Sequence, residues 1–138
     1  MGVILDTSVI VAGERGTIRL EALLTSLGDE PVAIAAITAS ELLHGAHRAA
    51  DAGVRARRAA FAEAVMDLVP VLAFGVREAR RHAQLWAELL AADAAIGPQA
   101  LLISATALAR GYGVATMSER EFSRVAGLRV VPVGPFLV

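Results

Sequence analysis

Cysteine and lysine are both absent from this chain of 138 residues, and aromatic side chains make up only 4% of it. Without thiols the chain can form neither disulfide bonds nor thiolate metal sites, which is typical of a cytosolic protein. Because lysine is absent, all 13 basic residues are arginine, a bias that genome composition explains more simply than function does. With so few aromatic rings, the core has to be built from alanine, valine, leucine and isoleucine.

Long apolar runs and a strong net charge are absent as well. Acids, arginine, glycine or proline interrupt every run before the roughly 20 apolar residues that a membrane-spanning helix needs. No basic segment precedes the apolar N-terminus, so we expect no signal peptide. The net charge is −1, and bulk charge therefore indicates no nucleic-acid partner. The length predicts one domain over residues 1–138.

Short apolar segments alternate with segments of helical periodicity. Strands are predicted at residues 3–5, 32–36, 70–72, 114–116 and 129–133, and helices at 17–27, from 38, 54–68, 75–95, 98–110 and 119–125. Strands separated by helices predict an α/β fold with a parallel sheet. One face of the helix over 75–95 carries apolar residues: Val76, Ala79, Ala83, Trp86, Leu89 and Leu90. Because Trp86 belongs to this face, a core position is favoured for it over a base-stacking role.

Asp6 stands directly after the first predicted strand, within the polar triplet Asp6-Thr7-Ser8. Ligands of open parallel sheets bind outside the carboxyl ends of the strands, so an acid at this point is well placed for chemistry. Asp, Thr and Ser are also the preferred N-cap residues, and Asp6 could simply cap a following helix. Both interpretations stay open at this point.

Further acids follow the other predicted strands. Glu41 comes after the second strand, and Ser118, Glu119 and Glu121 come after the fourth. If the first strand lies between those two, the acids converge beside Asp6, where a cation would offset their repulsion and desolvation. Oxygen ligands without cysteine suit Mg²⁺ or Mn²⁺, which can activate water and clamp a phosphodiester.

Structural alternatives exist for several of these residues. Thr38 and Glu41 have the spacing of a capping box, and acids such as Glu119 and Glu121 are favoured at a helix start by its dipole. Two histidines three residues apart could bind a metal but have no third ligand, so we expect surface or groove positions for His44 and His47. Two arginine groups are interpreted as solvated helix faces, with RNA or partner contact as the alternative: Arg55, Arg57 and Arg58, and Arg77, Arg80 and Arg81.

Four segments in order resemble the PIN domain, specifically VapC-type toxins of bacterial toxin–antitoxin pairs: LDTSVI (5–10), ITASELLHG (37–45), IGPQALLISATALA (96–109) and TMSEREF (116–122). The resemblance spans almost the whole chain. It implies a three-layer α/β/α fold with a mostly parallel five-stranded sheet of order 3-2-1-4-5, and Mg²⁺- or Mn²⁺-dependent endoribonuclease activity. By position it implies a metal-ligand role for Asp6 and a ligand or water-orienting role for Glu41. Supporting hydrogen bonds would come from Thr7, Ser8 and Thr116.

Two positions depart from the family pattern. Ala100 stands where the third acid, a metal ligand, belongs, and Ser118 stands where relatives carry Asn or Asp. The fourth acid would then be Glu121 or, as the alternative, Glu119. Losing a ligand should weaken metal binding and remove much of the activity. Ala100 could be a deliberate replacement that makes a toxin producible, or the mark of a naturally inactive antitoxin-binding module.

The resemblance also implies partners. We expect a VapB-type antitoxin with an amphipathic segment in an apolar groove near the acids, an RNA substrate, a homodimer and a cytoplasmic, non-membrane location.

A phosphohydrolase of the haloacid dehalogenase type also begins with a strand and an Asp. It needs a second acid two residues later, where this chain has Ser8, and a lysine that the chain lacks.

Overall fold

The computed structural model describes all residues from 1 to 138. Its strands are β1 (Gly2–Leu5), β2 (Val32–Ala35), β3 (Val71–Leu72), β4 (Tyr112–Thr116) and β5 (Val130–Pro132). Its helices are α1 (Thr7–Arg15), α2 (Leu20–Ser26), α3 (Ala36–Arg48), α4 (Ala52–Leu68), α5 (Val76–Ala91), α6 (Pro98–Arg110) and α7 (Glu119–Phe122), and a 3₁₀ turn follows at Gly134–Phe136. None of the helices combines the length and apolar character that crossing a bilayer requires.

The five strands form one sheet of order β3-β2-β1-β4-β5, and every pairing in it is parallel. The predicted strand order is therefore confirmed. All four residues of β1 are buried, as expected for a central strand that is covered on both faces. The carboxyl ends of β1, β2 and β4 consequently meet at one edge of the sheet.

Helices cover both faces of the sheet. Alternating residues of β1 point to opposite layers: Val3 and Leu5 belong to the larger apolar cluster with α1 and α3, whereas Ile4 packs with α6 residues on the other side. A third, smaller cluster joins α5 to α6 through Leu85, Leu89 and Leu101. Each helix thus buries one apolar face against the sheet or against a neighbouring helix.

The predicted capping box of α3 is wrong. The helix begins at Ala36, directly after β2, so Thr38 lies inside its first turn and caps nothing. Thr38 is fully buried, and Glu41 lies one turn further along. Helix α2 also begins later than predicted, because Ile18 instead forms an isolated bridge with Leu137 near the C-terminus.

The predicted core position of Trp86 is also wrong. On α5 the buried residues are Glu78, Leu85 and Leu89, whereas Trp86 is 53% exposed and Leu90 is 61% exposed. The predicted apolar face is therefore divided: Leu89 packs against Leu101 of α6, whereas Val76, Trp86 and Leu90 are exposed.

Candidate functional site

Asp6 joins β1 to α1 and carries the first carboxylate of the site. Its backbone N–H donates to the carbonyl of Ala115 on β4 at 2.9 Å, and its carbonyl accepts from the N–H of Val9 at 3.0 Å. Asp6 therefore occupies the N-cap position of α1, yet its side chain makes no capping hydrogen bond. Instead its Oδ2 accepts from Ser8 Oγ at 2.7 Å and from Thr116 Oγ1 at 2.8 Å. Oδ1 receives no hydrogen bond from the protein, so one oxygen of a residue only 7% exposed stays available.

Both hydroxyls that hold Asp6 are themselves oriented by backbone groups. Thr116 Oγ1 accepts from the N–H of Ser118 at 2.8 Å, and Ser8 Oγ accepts from the N–H of Met117 at 3.2 Å. An accepted hydrogen bond directs the proton of each hydroxyl toward the carboxylate and polarises it. The turn after β4 thus fixes the orientation of the carboxylate that ends β1.

Glu41 projects from α3 toward the start of α1. Its Oε1 accepts a hydrogen bond from Thr7 Oγ1 at 2.7 Å, and Thr7 Oγ1 lies 2.9 Å from Thr38 Oγ1. Because an ionised carboxylate only accepts, the single proton of Thr7 belongs to Glu41, and the buried Thr38 hydroxyl is the donor in the other bond. A threonine pair therefore connects the ends of β1 and β2.

Glu121 approaches the site from α7. Its Oε2 accepts from the backbone N–H of Gly97 at 2.7 Å, and Gly97 is the N-cap residue of α6. A Cβ at position 97 would lie 3.1 Å from that carboxylate oxygen, so glycine allows the close approach. The free N–H groups and dipole of a helix N-terminus favour an acid there.

These three carboxylates line one cavity of about 610 Å³ at the carboxyl edge of the sheet. Ala100, 7% exposed in the first turn of α6, forms part of the same wall. By contrast, Ser118 and Glu119 are exposed and lie outside the lining, as do both histidines of α3. The cavity is lined by Asp6, Thr7, Ser8, Val11, Ala12, Arg15, Thr17, Glu41, Gly97, Gln99, Ala100, Met117, Glu121 and Phe122.

The donor chemistry of this cavity suits a hard divalent cation, but the number of donors falls short. Its charged ligating groups are carboxylates, which are the oxygen donors that Mg²⁺ and Mn²⁺ prefer. No group of three or more Asp, Glu or His side chains comes close enough together to hold a metal ion. The residues present therefore do not form a complete metal site, and the alanine in the wall is where a further carboxylate could be added.

A second cavity of about 270 Å³ opens between α1, α3 and α4 and adjoins the first. Its wall combines apolar Leu42 and Phe61 with Arg58, whose guanidinium donates to the carbonyl of Gly45. The two cavities share Val11, Arg15 and Glu41. A groove lined by both apolar and charged side chains thus adjoins the acidic cavity.

Several residues of the site escaped the sequence reasoning. Gly97 was identified only as a helix start, although its N–H holds Glu121. Arg15 was not singled out, although it follows Val11 by four residues and Ser8 by seven and so lies on the same face of α1. Helical spacing from a known site residue was the signal that could have found it.

The carboxyl groups with clearly shifted pKa values lie elsewhere. The pKa of Glu78 is lowered, first by a hydrogen bond from the N–H of Gly75 and then by Arg77, at the start of α5. The pKa of Glu30 is lowered chiefly by its hydrogen bond with Arg129. Both groups anchor secondary-structure elements and do not line the acidic cavity.

Comparison with known proteins identifies the family. The PIN-domain profile matches residues 3–128. The chain is 35% identical to Ribonuclease VapC1 of Rickettsia felis and 38% identical to Ribonuclease VapC of Rickettsia bellii, in each case over 96% of this chain and 97% of the relative. Among solved structures, a DNA-bound VapBC from Salmonella typhimurium aligns with a TM-score of 0.86 and 26% identity, covering 96% of this chain and 98% of that one. The chain therefore belongs to the PIN-domain family, among the VapC ribonuclease toxins of toxin–antitoxin systems.

Proposed function

We propose that this chain has the architecture of a metal-dependent endoribonuclease toxin, and that its own cleavage activity is low because Ala100 occupies a ligand position. The observation that carries the proposal is the shared cavity: Asp6, Glu41 and Glu121 line it together with Ala100. Residues 1–138 would act as one domain in the cytoplasm, where RNA substrates are found.

The roles of the carboxylates follow from their hydrogen bonds. Asp6 keeps Oδ1 free while Ser8 and Thr116 hold Oδ2, an arrangement suited to presenting one oxygen as a ligand. Glu41, held by Thr7, could orient a water molecule or a ligand. With a carboxylate added at position 100, Asp6 and that carboxylate would hold Mg²⁺ or Mn²⁺, which would supply an activated water and stabilise charge on the phosphodiester.

Substitution Ala100→Asp tests the proposal directly. Purified protein is incubated with RNA in Mg²⁺, in Mn²⁺ and in EDTA, and the products are resolved by electrophoresis. We expect metal-dependent cleavage by Ala100→Asp at a rate at least about 100-fold above that of the unsubstituted chain, because a carboxylate is added to an otherwise incomplete set.

Ala60→Asp is the matched control, because it makes the same chemical change at an exposed position of α4 outside both cavities. This control should stay as inactive as the unsubstituted chain. If Ala100→Asp folds and binds metal but cleaves no RNA, the nuclease proposal is wrong. The alternative, a naturally inactive antitoxin-binding module, would then be favoured.

The groove beside the acidic cavity is the proposed binding site of a VapB-type antitoxin. Its apolar side chains, including Leu42 and Phe61, fit the apolar face of an amphipathic segment, and the neighbouring acids suit a basic side chain. Phe61→Asp should weaken binding of the cognate antitoxin by about 100-fold in calorimetry, because it buries a carboxylate in the interface. Unchanged affinity would exclude the groove.

The uncovered face of α5 supports a homodimer. Five exposed residues of α5 are spaced symmetrically about Ala83, with larger apolar side chains at both ends and alanine between them: Val76, Ala79, Ala83, Ala87 and Leu90. An antiparallel pair of such helices sets each bulky end against the opposite end, and the alanines allow a close approach. Val76 and Leu90 are 67% and 61% exposed in the single chain.

Light scattering tests this association. The unsubstituted chain should have twice the mass of one 14.3 kDa chain. The Ala83→Arg variant should have the mass of one chain, because the two-fold axis of the dimer would bring the two introduced arginines together. The exposed Ala60→Arg on α4 serves as the control. Identical masses for Ala83→Arg and the unsubstituted chain would exclude α5 as the interface.

A further inference from the structure

Arg15 is the one cationic side chain in the wall of the acidic cavity. It is the last residue of α1, the helix that begins directly after Asp6. Side chains of a helix lean toward its N-terminus, so the long Arg15 side chain extends back along the face that also carries Ser8 and Val11. All three of these α1 residues line the cavity.

The guanidinium of Arg15 has no partner within the protein. Arg15 is exposed, it makes no hydrogen bond or ion pair, and neither Glu14 nor Glu41 lies within ion-pair distance although both line the adjoining groove with it. By contrast, Arg58 in the same groove donates to a backbone carbonyl, and Arg129 pairs with Glu30. All the N–H donors of Arg15 are therefore free for a ligand.

A polyanion that enters this cavity meets an electrostatic problem. Three carboxylates repel a phosphodiester, and Arg15 is the only positively charged side chain of the wall. Guanidinium groups bind phosphate through two parallel hydrogen bonds, which fix its position as well as its charge. Arg15 lines both cavities, so a phosphate held there would lie beside the carboxylates of the acidic cavity.

We propose that Arg15 binds a backbone phosphate of the RNA strand and positions that strand at the acidic cavity. This inference rests on the RNA substrate proposed above, and it names the residue that offsets part of the repulsion of the acids. The contact does not require a bound metal ion. It can therefore be measured with the chain as it is, without cleavage.

The test is RNA binding in EDTA, with fluorescently labelled, unfractionated transfer RNA as the probe, over a series of salt concentrations. Arg15→Met should raise the dissociation constant about tenfold and reduce the slope of log K against log salt by about 0.7–0.9, the loss of one phosphate contact. Arg15→Lys should keep the slope and lose only part of the affinity, since it retains the charge without the planar pair of donors.

Arg48→Met is the matched control. Arg48 is likewise the last residue of an α-helix, is exposed, has no hydrogen bond or ion pair, and lines neither cavity. It loses the same charge and the same interaction with a helix C-terminus, so a purely electrostatic or structural effect would be equal in both variants. We expect its affinity to stay within about twofold of the unsubstituted chain, and the melting temperatures of the two variants to equal one another.

Three results would overturn the inference: equal weakening by Arg15→Met and Arg48→Met, no change in Arg15→Met, or no measurable RNA binding by the unsubstituted chain. The second result would indicate that Arg15 serves another partner, such as an acidic segment of the antitoxin. The cleavage assay on Ala100→Asp is independent of this one. If Ala100→Asp does not cleave RNA but the expected binding pattern is observed, the nuclease proposal is rejected and the phosphate-binding role of Arg15 is retained. If Ala100→Asp does cleave RNA, adding Arg15→Met to it should raise KM about tenfold with little change in kcat.

Discussion

Thr116→Val removes one of the two hydroxyls that hold the carboxylate of Asp6. Thr116 is fully buried, and its Oγ1 lies 2.8 Å from Asp6 Oδ2. Valine has nearly the same size and shape, so the substitution opens no cavity and leaves the packing of β4 intact. What changes is the hydrogen bonding of a buried carboxylate.

The expected loss is about 2 kcal/mol of unfolding free energy. A hydrogen bond to a charged group contributes about 1.5–3 kcal/mol, and Ser8 continues to donate to the same oxygen, which keeps the loss below the upper bound. The N–H of Ser118 also loses its acceptor, but Ser118 is exposed and water can replace the hydroxyl. The loss of unfolding free energy therefore comes almost entirely from the hydrogen bond between Thr116 and Asp6.

Urea unfolding at neutral pH, followed by circular dichroism, measures this difference. Thr106→Val is the matched control: Thr106 is 1% exposed, and its hydroxyl donates to the carbonyl of Leu102 in its own helix, a neutral acceptor. We expect the control to cost under about 1 kcal/mol. A double-mutant cycle with Asp6→Asn should give a coupling energy of about 1–2 kcal/mol between positions 6 and 116.

Equal costs for Thr116→Val and Thr106→Val would refute this reasoning, as would a coupling energy near zero. Either result would mean that the hydroxyl does not stabilise the ionised carboxylate. In that case, the orientation of Asp6 would have to depend on Ser8 alone.

Three further predictions concern the acids and their neighbours. Ala100→Asp should lower the unfolding free energy by about 1–3 kcal/mol in EDTA, because it adds a poorly solvated carboxylate beside other acids, and Mg²⁺ or Mn²⁺ should restore it in thermal melts. Because the N–H of Gly75 lowers the pKa of Glu78 below its usual 4.5, that carboxylate stabilises the fold above about pH 4.5 and loses this effect as the pH falls through the lowered value. The difference in unfolding free energy between the unsubstituted chain and Glu78→Gln should therefore shrink between about pH 6 and pH 3, and a constant difference would contradict it. Gly97→Ala places a Cβ 3.1 Å from Glu121 Oε2, so it should displace that carboxylate and reduce single-turnover cleavage severalfold in the Ala100→Asp background, at a stability cost under about 1 kcal/mol.

Local patterns were sufficient for the alternation of strands and helices. The run Val3-Ile4-Leu5 and the polar residues after it predicted a buried strand that ends at Asp6, and β1 ends at Leu5. Gly97-Pro98 predicted the start of a helix, and α6 begins at Pro98. These features depend on neighbouring residues, so the sequence contains the necessary information.

Predictions failed where distant residues decide the outcome. Thr38 had the sequence of an N-cap, but β2 continues directly into α3, and the hydroxyl of Thr38 binds Thr7, 31 residues away. Trp86 had the periodicity of a core residue, but α5 is oriented by the contacts of Leu85 and Leu89 with α6. Periodicity identifies an apolar face and contains no information about which surface covers it.

The sequence by itself determined the α/β class, the parallel sheet and the acids that follow its strands, because each depends on residue type and short spacing, whereas the role of position 100 came from the resemblance to the PIN-domain family. Only the tertiary structure decided that Glu121 lines the cavity while Glu119 lies outside it, that two hydroxyls hold one oxygen of Asp6, and that Arg15 lines the acidic cavity. The physical reason is that these contacts join the β1–α1 segment to β4, α6 and α7, elements that are far apart along the chain. Their relative positions are set by packing of the whole core.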